Sequence, residues 1–392
     1  MTDPVHDVIV VGAGPAGSTA AAALARRGRD VLLLDRAGFP RDKPCGDGIP
    51  PGTVGILHDL GLREQLHGAG FTPIRSVRLV SARARDFRID FRPRREGAEF
   101  LIAPRIEFDD LLRRHAVTSG ARFETANVRG PLLEGERVAG VRVEADGGER
   151  EIPARIVIAA DGATSIIARS LFNKKPPEHH RGVAVRAYLE GIETLAATVE
   201  FHFAANLAPG YAWIFPLGER RANVGVIVRT DRFKRRGAPL PELLDQFLAT
   251  PDVRARTAPD ARLSDIATWQ LPYATPHSTR RSFDGALLIG DAGRFIDSLT
   301  GEGIHHAVVS AAIAAEVADE ALTRPGNASE ILATFDARCD RAIGRLIRRS
   351  YRAQKYVVAH PRVLETLFIG ARAGRGRVVS WLNRVSTDFL VR

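Results

Sequence analysis

Cysteine is almost missing from this chain: across 392 residues only Cys45 and Cys339 occur, far apart in sequence. That argues against a disulfide scaffold and fits a reducing cytoplasm. No Cys-x-x-Cys pair and no Cys/His cluster is present, so no metal site is expected. Long apolar runs are missing as well, and none reaches the roughly 18 residues of a spanning helix. The mostly apolar residues 8–24 do not read as a signal peptide. Asp3 and Asp7 flank them without Lys or Arg, and Gly12, Gly14, Pro15 and Gly17 interrupt the run. Internal repeats and low-complexity tracts are absent.

Hydrophobic residues make up 45% of the chain, enough for a large core, and the length suggests two or three structural units. The net charge of +10 is confined to one end. Residues 338–392 carry 13 Lys or Arg against 3 Asp or Glu, while the rest holds 43 of each sign. Arg341, Arg345, Arg348, Arg349 and Arg352 recur there at helical spacing beside Ile343, Leu346, Ile347 and Tyr351. Phe368, Ile369, Val378, Val379, Trp381, Leu382 and Phe389 add apolar surface. Such a tail suits an anionic membrane surface, giving a cytoplasmic protein with peripheral attachment; the other reading is a solvated helical face. No nucleic-acid partner is expected.

Residues 7–11 form a β-rich run, an alanine-rich helix follows to Arg27, and residues 31–34 are the next strand: a βαβ unit. A helix is expected over 105–119, strands over 137–145 and 152–160, and extended chain over 76–91 and 182–228. Further on come a helix over 242–248, a buried strand over 286–289 and a long apolar helix over 303–322. The C-terminal helices should break near Pro361 and at 370–376. Alternating strands and helices around a β-rich middle predict an α/β fold interrupted by an antiparallel sheet.

Gly12, Gly14 and Gly17, spaced Gly-x-Gly-x-x-Gly with Ala16 among them, follow the first strand and open the first helix. Asp35, with Arg36 after it, ends the second strand. In this context the glycines admit a pyrophosphate to a helix N-terminus, and Asp35 accepts hydrogen bonds from a ribose. The motif alone does not separate FAD from NAD. Farther along, Gly301 and Gly303 open the long helix, whose positive end suits the negative charge of a reduced flavin.

Two later strand ends, Asp161-Gly162 and Gly290-Asp291, join the first motif. Together the three segments resemble the signatures of the flavoprotein superfamily that includes para-hydroxybenzoate hydroxylase. The resemblance implies non-covalent FAD, with Asp291 at its ribityl or pyrophosphate region, Asp161 near the pyrophosphate and Arg105 close by. The block Pro44-Cys45-Gly46-Asp47-Gly48, the run Tyr211-Ala212-Trp213-Ile214-Phe215-Pro216 followed by Asn223 and Gly225, and the element Thr300-Gly301-Glu302-Gly303-Ile304 narrow it further. They resemble the geranylgeranyl reductases and related menaquinone side-chain reductases over about residues 5–325. Residues 293–298 and Pro51-Gly52 depart from that pattern, which bears on the substrate more than on the cofactor.

The family resemblance implies a Rossmann-like FAD domain (1–75, 101–175, 280–330) interrupted by an antiparallel β-sheet substrate domain (76–100, 176–279), then a basic helical region (331–392). It implies saturation of isoprenoid C=C bonds, with Cys45 and Gly46 beside the isoalloxazine ring. Cys45 reads as a proton relay or redox gate, or as a small packed residue. Tyr211, Trp213 and Phe215 read as tunnel lining or as core, and His305 and His306 as structural or as reaching the site. With no second glycine fingerprint, NADPH would bind transiently or ferredoxin would replace it. The alternatives are an FAD-dependent hydroxylase of an aromatic or polyketide-like molecule and a non-enzymatic relict. A halogenase is disfavoured, because no Gly-Gly-x-Lys-x-Pro lysine is present.

Overall fold

The computed structural model describes residues 4–90, 96–145, 148–172, 176–276 and 280–372. The hydrophobic runs of His6–Val11 and Val31–Asp35 and the end of Gly148–Ala159 lie side by side and parallel. They belong to an eight-stranded sheet in which Ala286–Leu288 and Arg122–Thr125 extend the two sides. Continuous apolar strands of this kind are required where both faces of a parallel sheet are buried. One face is covered by Pro15–Ala25 packed on Ile304–Thr323. Alanines at 20–23, all buried, let these helices approach closely.

The middle of the chain builds a second sheet of seven strands. Arg181–Ile192, Tyr211–Pro216 and Arg221–Arg229 form its antiparallel centre. The hairpin Ser76–Ser81 and Asp86–Asp90 completes one side, joined in parallel to Thr198–Phe203. A three-stranded sheet of Gly48–Ile49, Phe100–Ile102 and Thr72–Ile74 is hydrogen-bonded to neither but packs Ile74, Phe100 and Ile102 against the second sheet. The site forms where the first and second sheets' loops meet.

Three elements differ from the sequence expectation. Thr257–Pro272 is a 16-residue edge strand whose polar alternation, Pro259 and Asp265 disguise it as a loop. Pro51–Asp59 and Arg63–Gly68 are helices that the sequence pattern did not announce. The last described helix, Pro361–Arg372, begins at the expected proline and passes Gly370; residues 373–376, the rest of the expected break, lie outside the described residues.

The C-terminal expectation is also corrected. Arg345–Ala353 is helical and its arginines are exposed, as are Arg341 and Arg352. Ile343 and Ile347, however, are buried in the core beside the first helix pair, so these two side chains are withheld from a lipid, whereas Leu346 and Tyr351 are half-buried. Phe368 is buried too, edge-on to Phe87. Exposed apolar side chains occur instead at Tyr356, Val363 and Ile369. Val378, Val379, Trp381, Leu382 and Phe389 lie outside the described residues. Among the described residues, no helix is long and apolar enough to cross a membrane.

Candidate functional site

The glycines of the first motif do different work. Gly12 has φ +99°, and a Cβ there would lie 2.4 Å from the Ala160 carbonyl oxygen. At Gly17 a Cβ would lie 1.7 Å from the Gly12 carbonyl oxygen. Both are therefore glycine because the turn packs against backbone, with Asp161 next to Gly12. Gly14 is not crowded in this way. A Cβ there would meet nothing closer than the Arg41 guanidinium at 3.5 Å, then the Asp109 carboxylate at 3.9 Å and the Arg105 guanidinium at 4.0 Å. The space above Gly14 is thus an open cradle at a helix N-terminus, faced by two guanidiniums. That arrangement fits the diphosphate of a dinucleotide.

Those cations are held by carboxylates. Asp109, fully buried one turn after Arg105, accepts from Arg105 Nε at 2.6 Å and from Arg41 Nη1 at 2.9 Å. Asp35 accepts the Ala13 and Ala37 N–H groups at 2.8 and 3.0 Å, which fixes it at the end of its strand, and Arg41 also reaches it. Arg36 is exposed beside it. Asp161 accepts the Ile166 N–H at 2.8 Å. Gly290 packs on Ala16: a Cβ at Gly290 would lie 3.0 Å from that of Ala16. Asp291 accepts from Lys43 Nζ at 2.9 Å.

From Asp291 a cavity runs to the second sheet. Cys45, Gly46, Tyr211, Trp213, Gly301 and Ile304 line it. The aromatic side chains are core and lining at once: Tyr211 and Trp213 are buried, and each contributes a face to the cavity. Their polar ends are anchored. Tyr211 donates its O–H to the Thr300 carbonyl, and Trp213 Nε1 donates to Asn223 Oδ1 at 2.9 Å. Gly46 and Gly301 let backbone pass close by, since a Cβ would lie 3.0 Å from Phe215 and 3.2 Å from Tyr211 respectively. Gly303 caps the long helix and packs toward Asp291.

Sequence reasoning missed a buried polar network beneath Cys45. Asn223 Nδ2 donates to the Cys45 carbonyl at 2.7 Å and to Asp47 at 2.8 Å. Tyr188 donates its O–H to the same Asp47 carboxylate at 2.9 Å. Arg186 lies over the Tyr188 ring and pairs with Asp42. The network ties the Cys45 loop to the second sheet. Arg41, Lys43, Asp109 and Asp47 were missed as site residues although Asp47 lies in the quoted Cys45 block and Arg41 and Lys43 just before it. The Arg105/Asp109 spacing of four was the available signal. Neither His305 nor His306 lines the cavity: His306 Nδ1 meets the Phe295 carbonyl at 2.7 Å, and His305 Nδ1 meets Thr53 at 3.2 Å.

Glu200, His202 and Asp252 also lie together. Arg78 and Arg256 donate into this group, so it is an ion-pair cluster of the second sheet. Burial pushes the Glu200 carboxyl up, but hydrogen bonds from His202 and Arg256 outweigh it and bring the pKa to about 2.

Burial lifts the Asp47 carboxyl from 3.8 to about 6, against the lowering effect of the Asn223 and Tyr188 hydrogen bonds. A raised carboxyl pKa stabilises the fold below its unfolded value, and that contribution is lost as pH rises through the folded value. Asp47 should therefore cost about 3 kcal/mol between pH 4 and 7. Urea titrations of Asp47→Asn should show a flatter stability profile over that window than wild type; an unchanged profile would contradict the assignment.

The comparisons with known proteins agree with this geometry. Residues 5–350 match the family model described as an FAD binding domain. The chain is similar to digeranylgeranylglycerophospholipid reductase 2 of Methanopyrus kandleri, at 34% identity covering 89% of this chain and 86% of that protein. It is similar to menaquinone reductase of Mycobacterium tuberculosis, at 35% identity covering 81% and 77%. Among solved structures it resembles a geranylgeranyl bacteriochlorophyll reductase-like protein of Thermoplasma acidophilum, with TM-score 0.81, 25% identity and coverage of 94% and 91%. The chain belongs to the FAD-binding-domain family and is an FAD-dependent oxidoreductase of its geranylgeranyl-reductase-like branch.

Proposed function

We propose that the protein saturates C=C bonds of an isoprenoid chain. The observation that carries this reading is the cavity: it is walled by Tyr211, Trp213, Phe215, Ile227 and Leu271 and begins at Asp291 beside the Gly303 helix end. The relatives' substrates, as their names give them, are prenylated lipids and quinones. Bound FAD would supply hydride to the alkene. Arg41, Arg105 and the Gly14 cradle would hold its diphosphate, and Asp35 its ribose. Arg36 and Asp161 would border that groove, and Asp291, Gly301 and Gly303 would border the part toward the ring. The apolar walls orient the chain and exclude water, and their aromatic faces stabilise cationic character at the attacked carbon. NADPH or ferredoxin would be the transient electron donor. The test is oxygen dependence. Turnover should proceed without oxygen and add two hydrogens to the chain; a product gaining an oxygen atom only in air would mark a hydroxylase.

A substrate of this kind resides in a bilayer, and we propose that the basic C-terminal region brings the cavity to it. Exposed Arg341, Arg345, Arg349 and Arg352 supply charge, and Tyr356, Val363 and Ile369 supply exposed apolar contacts. Basic residues near an anionic surface contribute on the order of 1 kcal/mol each. Co-sedimentation with vesicles should require anionic lipid, weaken with salt and fall when Arg345, Arg348, Arg349 and Arg352 become Gln. Equal sedimentation with neutral vesicles, or none with either, would contradict it.

A further inference from the structure

The cavity is lined by three cations and two carboxyls, and their pairing is unequal. Lys43 pairs with Asp291, Arg105 with Asp109 and Arg186 with Asp42, so every lining cation has an anionic partner. Glu302 is the remaining carboxyl, and among the described residues it forms no ion pair with Lys or Arg. Its Oε1 accepts the His305 N–H at 2.6 Å, which anchors the carboxyl at the helix N-terminus between Gly301 and Gly303. A carboxyl with no cation in an apolar chamber is stable as the neutral acid.

We propose that Glu302 is the proton donor for alkene reduction, an inference that rests on the reductase reading above. The Glu302 O–H gives its proton to one alkene carbon while reduced flavin gives hydride to the other. The π bond is replaced by two C–H bonds, the flavin is oxidised by two electrons, and water reprotonates the Glu302 carboxylate. The other acids of the cavity are weaker. Burial pushes the Cys45 thiol up despite Arg105, and the Tyr211 phenol well up, with its O–H already given to Thr300. Glu302 is lifted to about 7, first by burial and then by the charges of Asp297 and Asp291, while the His305 N–H opposes the rise. Around it also stand Cys45, Tyr211, Lys43 and Arg105 on the cavity wall, and His306 on the helix. Cys45 then packs the wall and is not the proton source.

Three measurements test this. Infrared difference spectra of holoenzyme with and without ¹³C-glutamate should show a protonated carboxyl that titrates near neutrality and disappears in Glu302→Gln. Glu302→Gln should keep FAD content, melting temperature and dithionite reducibility, yet reduce a prenyl chain about 10²- to 10⁴-fold more slowly. Glu302→Asp should recover part of the rate with a displaced pH profile, while Cys45→Ala should stay within about tenfold of wild type, below the range for losing a general acid. A Glu302→Gln enzyme at the wild-type rate, or a Cys45→Ala enzyme as slow as expected for Glu302→Gln, would overturn the assignment alone. A wild-type enzyme that reduces no prenyl chain would overturn the reductase reading, and the proposal with it.

Discussion

Gly14→Val should purify folded and colourless, whereas Gly17→Ala should not fold. The two glycines belong to one motif, but they are glycine for different reasons. A Cβ at Gly17 would stand 1.7 Å from the Gly12 carbonyl oxygen, a backbone atom held by the first strand turn. That overlap cannot be relieved by a rotamer change, so its cost exceeds the roughly 1–3 kcal/mol of ordinary overpacking. At Gly14 the nearest atom is 3.5 Å away on a flexible arginine, and the backbone there has φ −75°, which any residue adopts. Valine is thus accommodated by the protein and would collide only with a diphosphate seated above Gly14. FAD affinity should fall at least about 100-fold, or about 2.8 kcal/mol. Circular dichroism with flavin absorbance checks both variants. Full FAD occupancy in Gly14→Val would contradict the cradle assignment.

Asn223→Ala should be among the most destabilising single changes outside the glycine turn. Asn223 is fully buried and serves the Trp213 indole N–H, the Cys45 carbonyl and the Asp47 carboxyl together. Removing it strands the Trp213 N–H and the Cys45 carbonyl and leaves Asp47 with only the Tyr188 hydrogen bond, so at about 1–3 kcal/mol per stranded group a loss of about 2–6 kcal/mol is expected. Flavin should also be held less tightly, because the Cys45 loop is no longer tied to the second sheet. Urea unfolding measures the first effect and flavin retention on desalting the second. A variant with wild-type stability would show that the network does not hold the loop.

The legible parts of this molecule were those encoded locally. The βαβ unit with Gly12, Gly14, Gly17 and Asp35 was readable because a phosphate cradle needs fixed spacings over one strand and one turn. The long helix from Ile304 announced itself by an apolar run after Gly301 and Gly303. Parts defined by distant partners were not readable. Asn223 meets the Cys45 carbonyl across 178 residues, and Arg41 meets Asp109 across 68. Nothing in either local pattern marks such a pairing. The strand Thr257–Pro272 escaped because an edge strand keeps polar residues on both faces. The arginine helix was recognised, but whether Ile343 and Ile347 face lipid or protein depends on the helix they pack against, which periodicity does not reveal.

The account's central claim is that electrons pass from the flavin to an isolated C=C bond. The most direct measurement is an oxygen-free single turnover, in which reduced holoenzyme is mixed with a prenylated lipid while flavin absorbance and lipid mass are followed together. The account predicts that one flavin is reoxidised for each two hydrogens gained by the chain, at the same rate. A flavin that stays reduced beside the lipid and reoxidises only when oxygen is admitted would contradict it.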